Sequence, residues 1–277
     1  MRKVYNEITG RELNLPDRCE RIVSFSPAVT EALFGMGLGE FVVGVSVYCV
    51  RPPEARKKRI VGSYNTFKEE ELKRLNPDII FTTTGYQLEL VKKLGERFQV
   101  YPVRLPPSVT EIISTSCEVG IVAGYFSNAR ELEKRLTLNL LNLITKNFEG
   151  GNKPKIFVEI DFGAPVTFGA YSYITDAIEI LGGENIFGDY PSEWLYTDDE
   201  KVKILNPDVI IYEPKMFSKN RDRGKIVNSL RKRFGDVEAI RNDRVFITPG
   251  IYDFLAHHGP SFITEAMPWL SEIIKNI

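Results

Sequence analysis

Two stretches of the chain say nearly the same thing. KRLNPDIIF (Lys73–Phe81) returns about 130 residues later as KILNPDVII (Lys203–Ile211). In each, Lys-x-Leu leads through Asn-Pro-Asp into an apolar run. Proline cannot continue a helix, and the residue before it avoids the helical region. Each copy therefore reads as helix, stop, strand. A single Asn-Pro-Asp is a common turn. Two, in the same local context, read as a duplicated α/β unit and restrict the chain to folds that can hold two of them.

The surroundings of the first copy fit that reading. Arg21–Phe25 and Phe41–Ser46 are short β-rich runs, separated by a helix over Thr30–Met36 that GMGLG closes. FKEEELKRL has acids in its first turn and bases in its last, as the helix dipole favours. A strand follows Asn-Pro-Asp, then the helix LELVKKLGERF and the strand VYPVRL. The order β-α-β-α-β-α-β with short connections implies a parallel sheet. Two helices come next, the second over Ser127–Phe148, roughly 30 Å long at the usual rise per residue. EGGNKPK breaks it, and the pattern restarts. KIFVEI is a strand, DFGAPVTFGAYS a long loop, YITDAIEILGG a helix, and DDEKVKILNPDVIIY helix, stop and strand. LRKRF leads into RVFITPG, and a final helix closes the chain. The expected fold is α/β: two Rossmann-like lobes with parallel sheets, joined by a single long interdomain helix. The boundaries are 1–125, 126–149 and 150–277.

Composition excludes some partners. Lys+Arg 36 against Asp+Glu 37 gives a net charge of -1, which argues against nucleic acid. No stretch approaches the roughly 18 apolar residues of a membrane span. The first residues show neither the apolar run nor the cleavage site of a secretory leader. The protein is thus expected to be extracytoplasmic if a leader was trimmed, and cytoplasmic if the start shown is native. Cys19, Cys49 and Cys117 have no CxxC spacing and form no disulfide framework.

In parallel α/β sheets ligands bind beyond the carboxyl ends of the strands. In the first half those loops are SPAVT, SVYCVRPP, GSYNTF, TTGYQ and RLPPS; in the second, DFGAPVTFGAYSY, YPSEWLY, YEPKMF and PGIYDFLAHHG. They are rich in aromatic residues, which give flat contact area with a polar tip, suited to a bulky, partly apolar ligand. Candidate ligand contacts are Ser26, Tyr48, Tyr64, Phe67, Tyr86, Phe168, Tyr171, Tyr173, Trp194, Phe254 and His257. Phe162, Tyr196, Phe217 and Tyr252 lie in the same loops. Phosphate-loop, nucleophile-elbow and zinc-protease motifs are absent from the sequence. The adjacent pair His257–His258 reads as solvated or capping, because neighbouring side chains diverge.

The assembled pattern resembles the substrate-binding proteins of ABC importers for cobalamin, haem and iron-siderophores, whose two lobes are joined by one rigid helix. The likeness rests on Ser-Pro-x-x-Thr-Glu at Ser26–Glu31, Tyr48 with Pro52-Pro53-Glu54-Ala55, LKRLNPDIIF, and LGGENIFGD at Leu181–Asp189. The second and last of these lean towards the cobalamin-binding branch. The resemblance implies a monomeric, non-enzymatic receptor for cobalamin or another metal chelate. It would have no resident cofactor, because the ligand brings its own cobalt or iron, and it would deliver that ligand to an ABC permease. Tyr48 aligns with an aromatic that contacts the corrin, and Tyr64 falls where those proteins carry a tryptophan. Glu70 aligns with a first-lobe acid that docks on the permease, while the second-lobe docking position reads Ala256. Two other readings stay open. A haem or siderophore receptor could use Tyr48, Tyr171, Tyr173 or His257 as axial ligand, or Arg51, Arg104 and Lys215 against an anionic siderophore. A two-lobed enzyme would depend on Asp161, Asp198, Asp199 and Glu213.

Overall fold

A computed structural model describes residues 1–146 and 153–277. The described chain divides into two compact units. The first comprises Met1–Pro106, Thr110–Leu138 and His258–Ser261; the second comprises Pro107–Val109, Asn139–His257 and Phe262–Ile277.

The first unit opens with an antiparallel hairpin of β1 (Arg2–Asn6) and β2 (Arg11–Leu15), in register Arg2↔Leu15. This hairpin is absent from the order of elements expected from the sequence. Its alternating Leu13 and Leu15 are buried, and Asn6 donates to the Pro102 carbonyl. The main sheet follows in the order β3 (Ile22–Ser24), α1 (Pro27–Gly35), β4 (Val42–Ser46), β5 (Arg59–Gly62), α2 (Glu69–Leu75), β6 (Ile79–Thr83), α3 (Leu88–Gly95) and β7 (Val100–Val103). The strands lie side by side as β5-β4-β3-β6-β7, all parallel. The expected four strands are therefore five. The four-residue RIVG of β5 is too short for its pattern to stand out beside the Pro-Pro turn before it. Chain order runs outward in opposite directions from the β3–β6 neighbours, which makes that junction the topological switch point. Phe25, Val61, Leu72, Ile80, Leu90 and Leu94 fill the space between sheet and helices.

Two helices follow, α4 (Val109–Ala123) and α5 (Phe126–Lys146). The start of α5 lies one residue before the expected Ser127, within ordinary end fraying. The expected end at Phe148, and the boundary at residue 149, lie outside the described residues. Ala129, Leu132, Leu136 and Leu140 are buried along one stripe of α5, at the spacing of three to four that places side chains on one helical face. The division between units falls within this helix, after Leu138.

The second unit runs β8 (Lys155–Asp161), β9 (Pro165–Phe168), α6 (Tyr173–Ile180), β10 (Glu184–Asn185), β11 (Trp194–Tyr196), α7 (Asp199–Leu205), β12 (Val209–Glu213), α8 (Arg223–Phe234), α9 (Glu238–Arg241), β13 (Val245–Ile247) and α10 (Met267–Lys275). The β8-β12-β13 strands are parallel, and β10 joins the start of β8 in parallel. On the same side of β8, β9 turns back antiparallel, and β11 pairs antiparallel with β9. Two expected loops, Asp161–Tyr173 and Tyr190–Tyr196, thus contain strands. The turn explains the first. Asp161 Oδ1 accepts from the Gly163 N–H at 2.7 Å, and Gly163 takes φ 97°, open to glycine, so the chain reverses into Pro165-Val-Thr-Phe. Phe157, Phe187, Val202, Ile210, Leu230 and Phe234 form the core of this unit.

The two Asn-Pro-Asp copies do the same work. Asn76 and Asn206 close α2 and α7 in the left-handed region, at φ 44° and 46°. The Asp78 N–H donates to the Arg21 carbonyl at 2.9 Å, and the Asp208 N–H to the Lys155 carbonyl at 2.8 Å. Asp78 Oδ2 accepts from the Glu20 and Arg21 N–H groups, and Asp208 Oδ2 from the Lys155 N–H. The next residues pair in matching register, Ile79 with Ile22 and Val209 with Ile156. The motif fastens the strand after it to the unit's central strand, at the amino end of the sheet.

Candidate functional site

The amino ends are taken up by those anchors, so the carboxyl ends are where each sheet is free to carry chemistry. In the first unit, β3 runs out through Phe25 to Ser26, whose Oγ caps α1 by accepting from the Val29 N–H at 3.4 Å. Beyond β4, Ser46 Oγ lies 3.2 Å from Cys49 Sγ, which also faces the Ser24 carbonyl. Burial pushes the Cys49 thiol up, and burial likewise raises Cys19 to about 12 and Cys117 to about 11. All three are free, buried thiols, so they act as small packing groups.

Gln87 ties the loops of this edge together. It is fully buried; its Oε1 accepts from the Thr83 N–H at 2.8 Å and from the Thr83 hydroxyl. Its Nε2 donates to the carbonyls of Phe25 and Tyr64 at 3.3 and 3.0 Å. One neutral side chain thus fixes the ends of β3 and β6 and the loop after β5. Sequence reading did not select Gln87; its only signal was a polar residue closing TTGYQ immediately before a helix. Tyr48 and Tyr64, each two residues beyond its strand, are half-buried and meet edge to face at 6.3 Å. Phe67 packs against the core, bridged by backbone to Gly62. The Tyr86 side chain lies outside the described residues. A small recess opens at this edge, bordered by Ser26, Thr83, Arg104, Ser116 and His258 among others.

Glu70 stands on the first turn of α2, with its side chain 86% exposed and 2.9 Å from Lys73 Nζ. Its neighbours are more committed. Glu71 bridges Arg59 and Arg74, and Glu69 meets Lys73 and Arg97.

In the second unit a carboxylate does the tying. Glu213, at the end of β12, is fully buried and accepts from the N–H groups of Phe254, Leu255 and Ala256 at 3.2, 2.6 and 3.2 Å. Burial outweighs those bonds and raises its carboxyl to about 7. Tyr173 donates its hydroxyl to the Leu255 carbonyl at 2.8 Å and sets its ring edge-on to Phe262. Phe254 is buried edge-on to Trp269, and His257 is also buried. Phe168 sits inside β9 with its carbonyl taken by Asn185. Among the second unit's candidates, then, Tyr173, Phe254, His257 and Phe168 are built into the structure, whereas Tyr171 and Trp194 are exposed. Exposed rings also stand at Phe162, Tyr196 and Phe217; Trp194 meets Tyr196 edge-on, and Phe217 meets Tyr252.

The acids on which a catalytic reading depended each have a structural partner. Asp161 holds the Gly163 turn, Asp198 caps α7 through the Lys201 N–H, and Glu213 binds backbone. Asp199 and the buried Glu159 share the Arg233 guanidinium, with contacts of 2.7 and 2.6 Å. Among the described residues no group of three or more His, Cys, Asp and Glu is placed to hold a metal ion. No helix of the described residues is long and apolar enough to cross a membrane.

Duplicated α/β units, with aromatic rings and hydroxyls at their carboxyl edges and their acids engaged in scaffolding, have the architecture of a solute-binding protein. A periplasmic binding protein model matches residues 22–252, and the chain belongs to that family. It is 23% identical over 277 residues to an uncharacterised ABC transporter substrate-binding lipoprotein, YvrC, of Bacillus subtilis, covering 97% of this chain and 84% of that one. It is 26% identical over 192 residues to a vitamin B12-binding protein of Photorhabdus laumondii, covering 69% and 70% of the two chains. Its fold matches the apo periplasmic haem-binding protein RhuT of Roseiflexus with a TM-score of 0.77 at 23% identity, over 93% of this chain and 98% of that one.

Proposed function

We propose that this protein is the extracytoplasmic substrate-binding component of an ABC importer and that its cargo is a metal chelate, with cobalamin or a related corrinoid as the leading candidate. The observation that carries this reading is the Tyr48–Tyr64 pair, two rings set edge to face beyond adjacent parallel strands. Such a pair can set the face of one ring against a macrocycle and the edge of the other beside it, while its hydroxyls meet polar substituents. The vitamin B12-binding relative supports the corrinoid assignment. Gln87 prepares the surface in advance, since it holds the Tyr64 carbonyl at 3.0 Å. The cobalt or iron arrives with the cargo and leaves with it.

Glu70 is proposed as the docking acid. It is the most exposed carboxylate of its helix turn, and a single lysine contact at the surface contributes little. The Glu70→Ala variant is expected to bind cargo normally and to lose productive contact with its permease.

Haem is the second reading, supported by the fold shared with a haem-binding protein. Of the axial candidates, Tyr173 spends its hydroxyl on Leu255, which leaves Tyr48 and the exposed Tyr171 as the rings to test. Titration with cyanocobalamin, haemin and a ferric siderophore, followed by absorbance, separates the readings. Submicromolar binding of cyanocobalamin alone supports the corrinoid assignment, and haemin binding with a tyrosinate charge-transfer band moves it to haem. Binding of none of the three, with turnover of a small substrate, would refute both.

A further inference from the structure

The recess of the first unit has a chemical character of its own. It sits at the β3–β6 switch point, bordered by Ser26 after β3 and Thr83 at the end of β6. No acid lines it. Arg104 is exposed on its rim and makes no hydrogen bond or ion pair with the described residues. Glu118, which feels Arg104 through space, has its carboxylate engaged by the Tyr101 hydroxyl. Ser116, on α4, is 5% exposed, lines the recess, and has a hydroxyl that bonds to no described group. A serine in mid-helix ordinarily returns its hydroxyl to the carbonyl a turn earlier, as Thr115 does to Glu111.

The floor adds a further donor. Ala28 lies at the second position of α1, where an N–H has no acceptor within the helix. Pro27 has no N–H, and that of Val29 goes to Ser26 Oγ. The first turn therefore leaves the Ala28 N–H, with the positive end of the helix dipole behind it. A guanidinium, the hydroxyl of a buried serine and a helix-end N–H around one acid-free recess are three donors lacking an acceptor among the described residues. His258 lines the same recess.

We propose that this recess is a subsite for an oxyanion, a carboxylate or phosphate carried on the periphery of the cargo, with Arg104, the Ser116 hydroxyl and the Ala28 N–H as its donors. This deepens the receptor reading and rests on it: the aromatic pair takes the face of the chelate, and the recess selects chelates with an acidic substituent. Arg104 supplies the paired N–H geometry that suits a planar or tetrahedral oxyanion.

Two measurements test it. In the first, inorganic phosphate and acetate are titrated separately into the cargo-free protein while the backbone amide resonances of Ala28 and Ser116 are followed. Saturable shifts at both are expected, with affinity about tenfold lower in Arg104→Gln and lower again in Arg104→Gln/Ser116→Ala; the stronger anion tells phosphate from carboxylate. In the second, haemin is compared with its dimethyl ester, and cyanocobalamin with dicyanocobinamide, which lacks the phosphate. The acidic member of the pair that binds should lose about tenfold in Arg104→Gln, and its neutral analogue nothing. If no chelate binds but phosphate or acetate still does so through Arg104, the receptor reading falls and the subsite stands. If chelates bind equally with and without their acid groups, and Arg104→Gln changes neither them nor the simple anions, the subsite falls and the receptor reading stands. Anion shifts equal in wild type and Arg104→Gln are adventitious and overturn the proposal.

Discussion

The two units agree on one side of their central strand and differ on the other. In the first, β3-β6-β7 carry the Asn-Pro-Asp anchor; in the second, β8-β12-β13 repeat it in the same register, down to the Ile80 N–H on the Gln99 carbonyl and the Ile210 N–H on the Arg244 carbonyl. Across the central strand the first sheet continues with parallel β4 and β5, whereas the second splits that edge between short β10 and the antiparallel β9–β11 pair. The carboxyl edges differ too. A neutral Gln87 fastens the first, and a buried carboxylate, Glu213, fastens the second. What stayed alike is the part that closes each sheet at its amino end; what diverged is the part that presents loops.

The difference can be broken unit by unit, because both tryptophans, Trp194 and Trp269, lie in the second unit and their fluorescence reports it alone. The largest effect is expected from Arg233→Ala. It leaves the buried Glu159 without its counter-charge, at about 3–5 kcal/mol, seen as a lower urea midpoint by tryptophan fluorescence. Protection of the first unit's amides in hydrogen exchange should change little. Next is Gln87→Ala, which strands four bonds at the other edge and should cost about 3 kcal/mol, read by hydrogen exchange at Phe25, Thr83 and Tyr64.

Glu213 distinguishes the edges by pH. Its folded value of about 7 lies above the ordinary 4.5, so the folded unit holds the proton more tightly than the unfolded chain. Its contribution is therefore fully present below pH 4.5 and falls by roughly 3 kcal/mol as pH rises through 7. Glu213→Gln should remove that slope from the tryptophan-detected stability; an unchanged slope would contradict the assignment. Asp78→Ala should cost about 2 kcal/mol and Asp208→Ala about 1, since the first strands two N–H groups and the second one. Least is expected of Asn76→Ala, about 1 kcal/mol for left-handed backbone, with glycine there nearly neutral. Asn206→Ala should cost about 1 kcal/mol more, because it also strands the Glu238 N–H, from which Asn206 Oδ1 accepts at 2.8 Å. Equal costs for this pair would contradict that extra bond at Asn206.

Local chemistry made the shared side legible. Asn-Pro-Asp stops a helix by sterics that need no tertiary context, so KRLNPDIIF and KILNPDVII announced equivalent strands from composition alone. The diverged side was less readable because its strands are short or antiparallel. RIVG, PVTF and WLY carry little periodicity, and tertiary pairing decides them. Of the site, the aromatic loops were readable as a group. Nothing in the sequence separated the rings built into the second unit, such as Tyr173 and Phe254, from exposed ones such as Tyr171. Gln87, Ser116 and Arg104 were harder still. What sets them apart is which of their hydrogen bonds are made or missing, and that belongs to packing.

The central claim is that the carboxyl edges recognise cargo while the Asn-Pro-Asp turns are scaffold. Hydrogen exchange of the full chain, with and without saturating cyanocobalamin or whichever chelate binds, tests it most directly. The account predicts added protection in the Ser46–Val50 and Gly62–Phe67 loops and at Ser26–Val29, with none at Asn76–Asp78 or Asn206–Asp208. Protection concentrated at those turns, with the Tyr48 and Tyr64 loops unchanged, would contradict it.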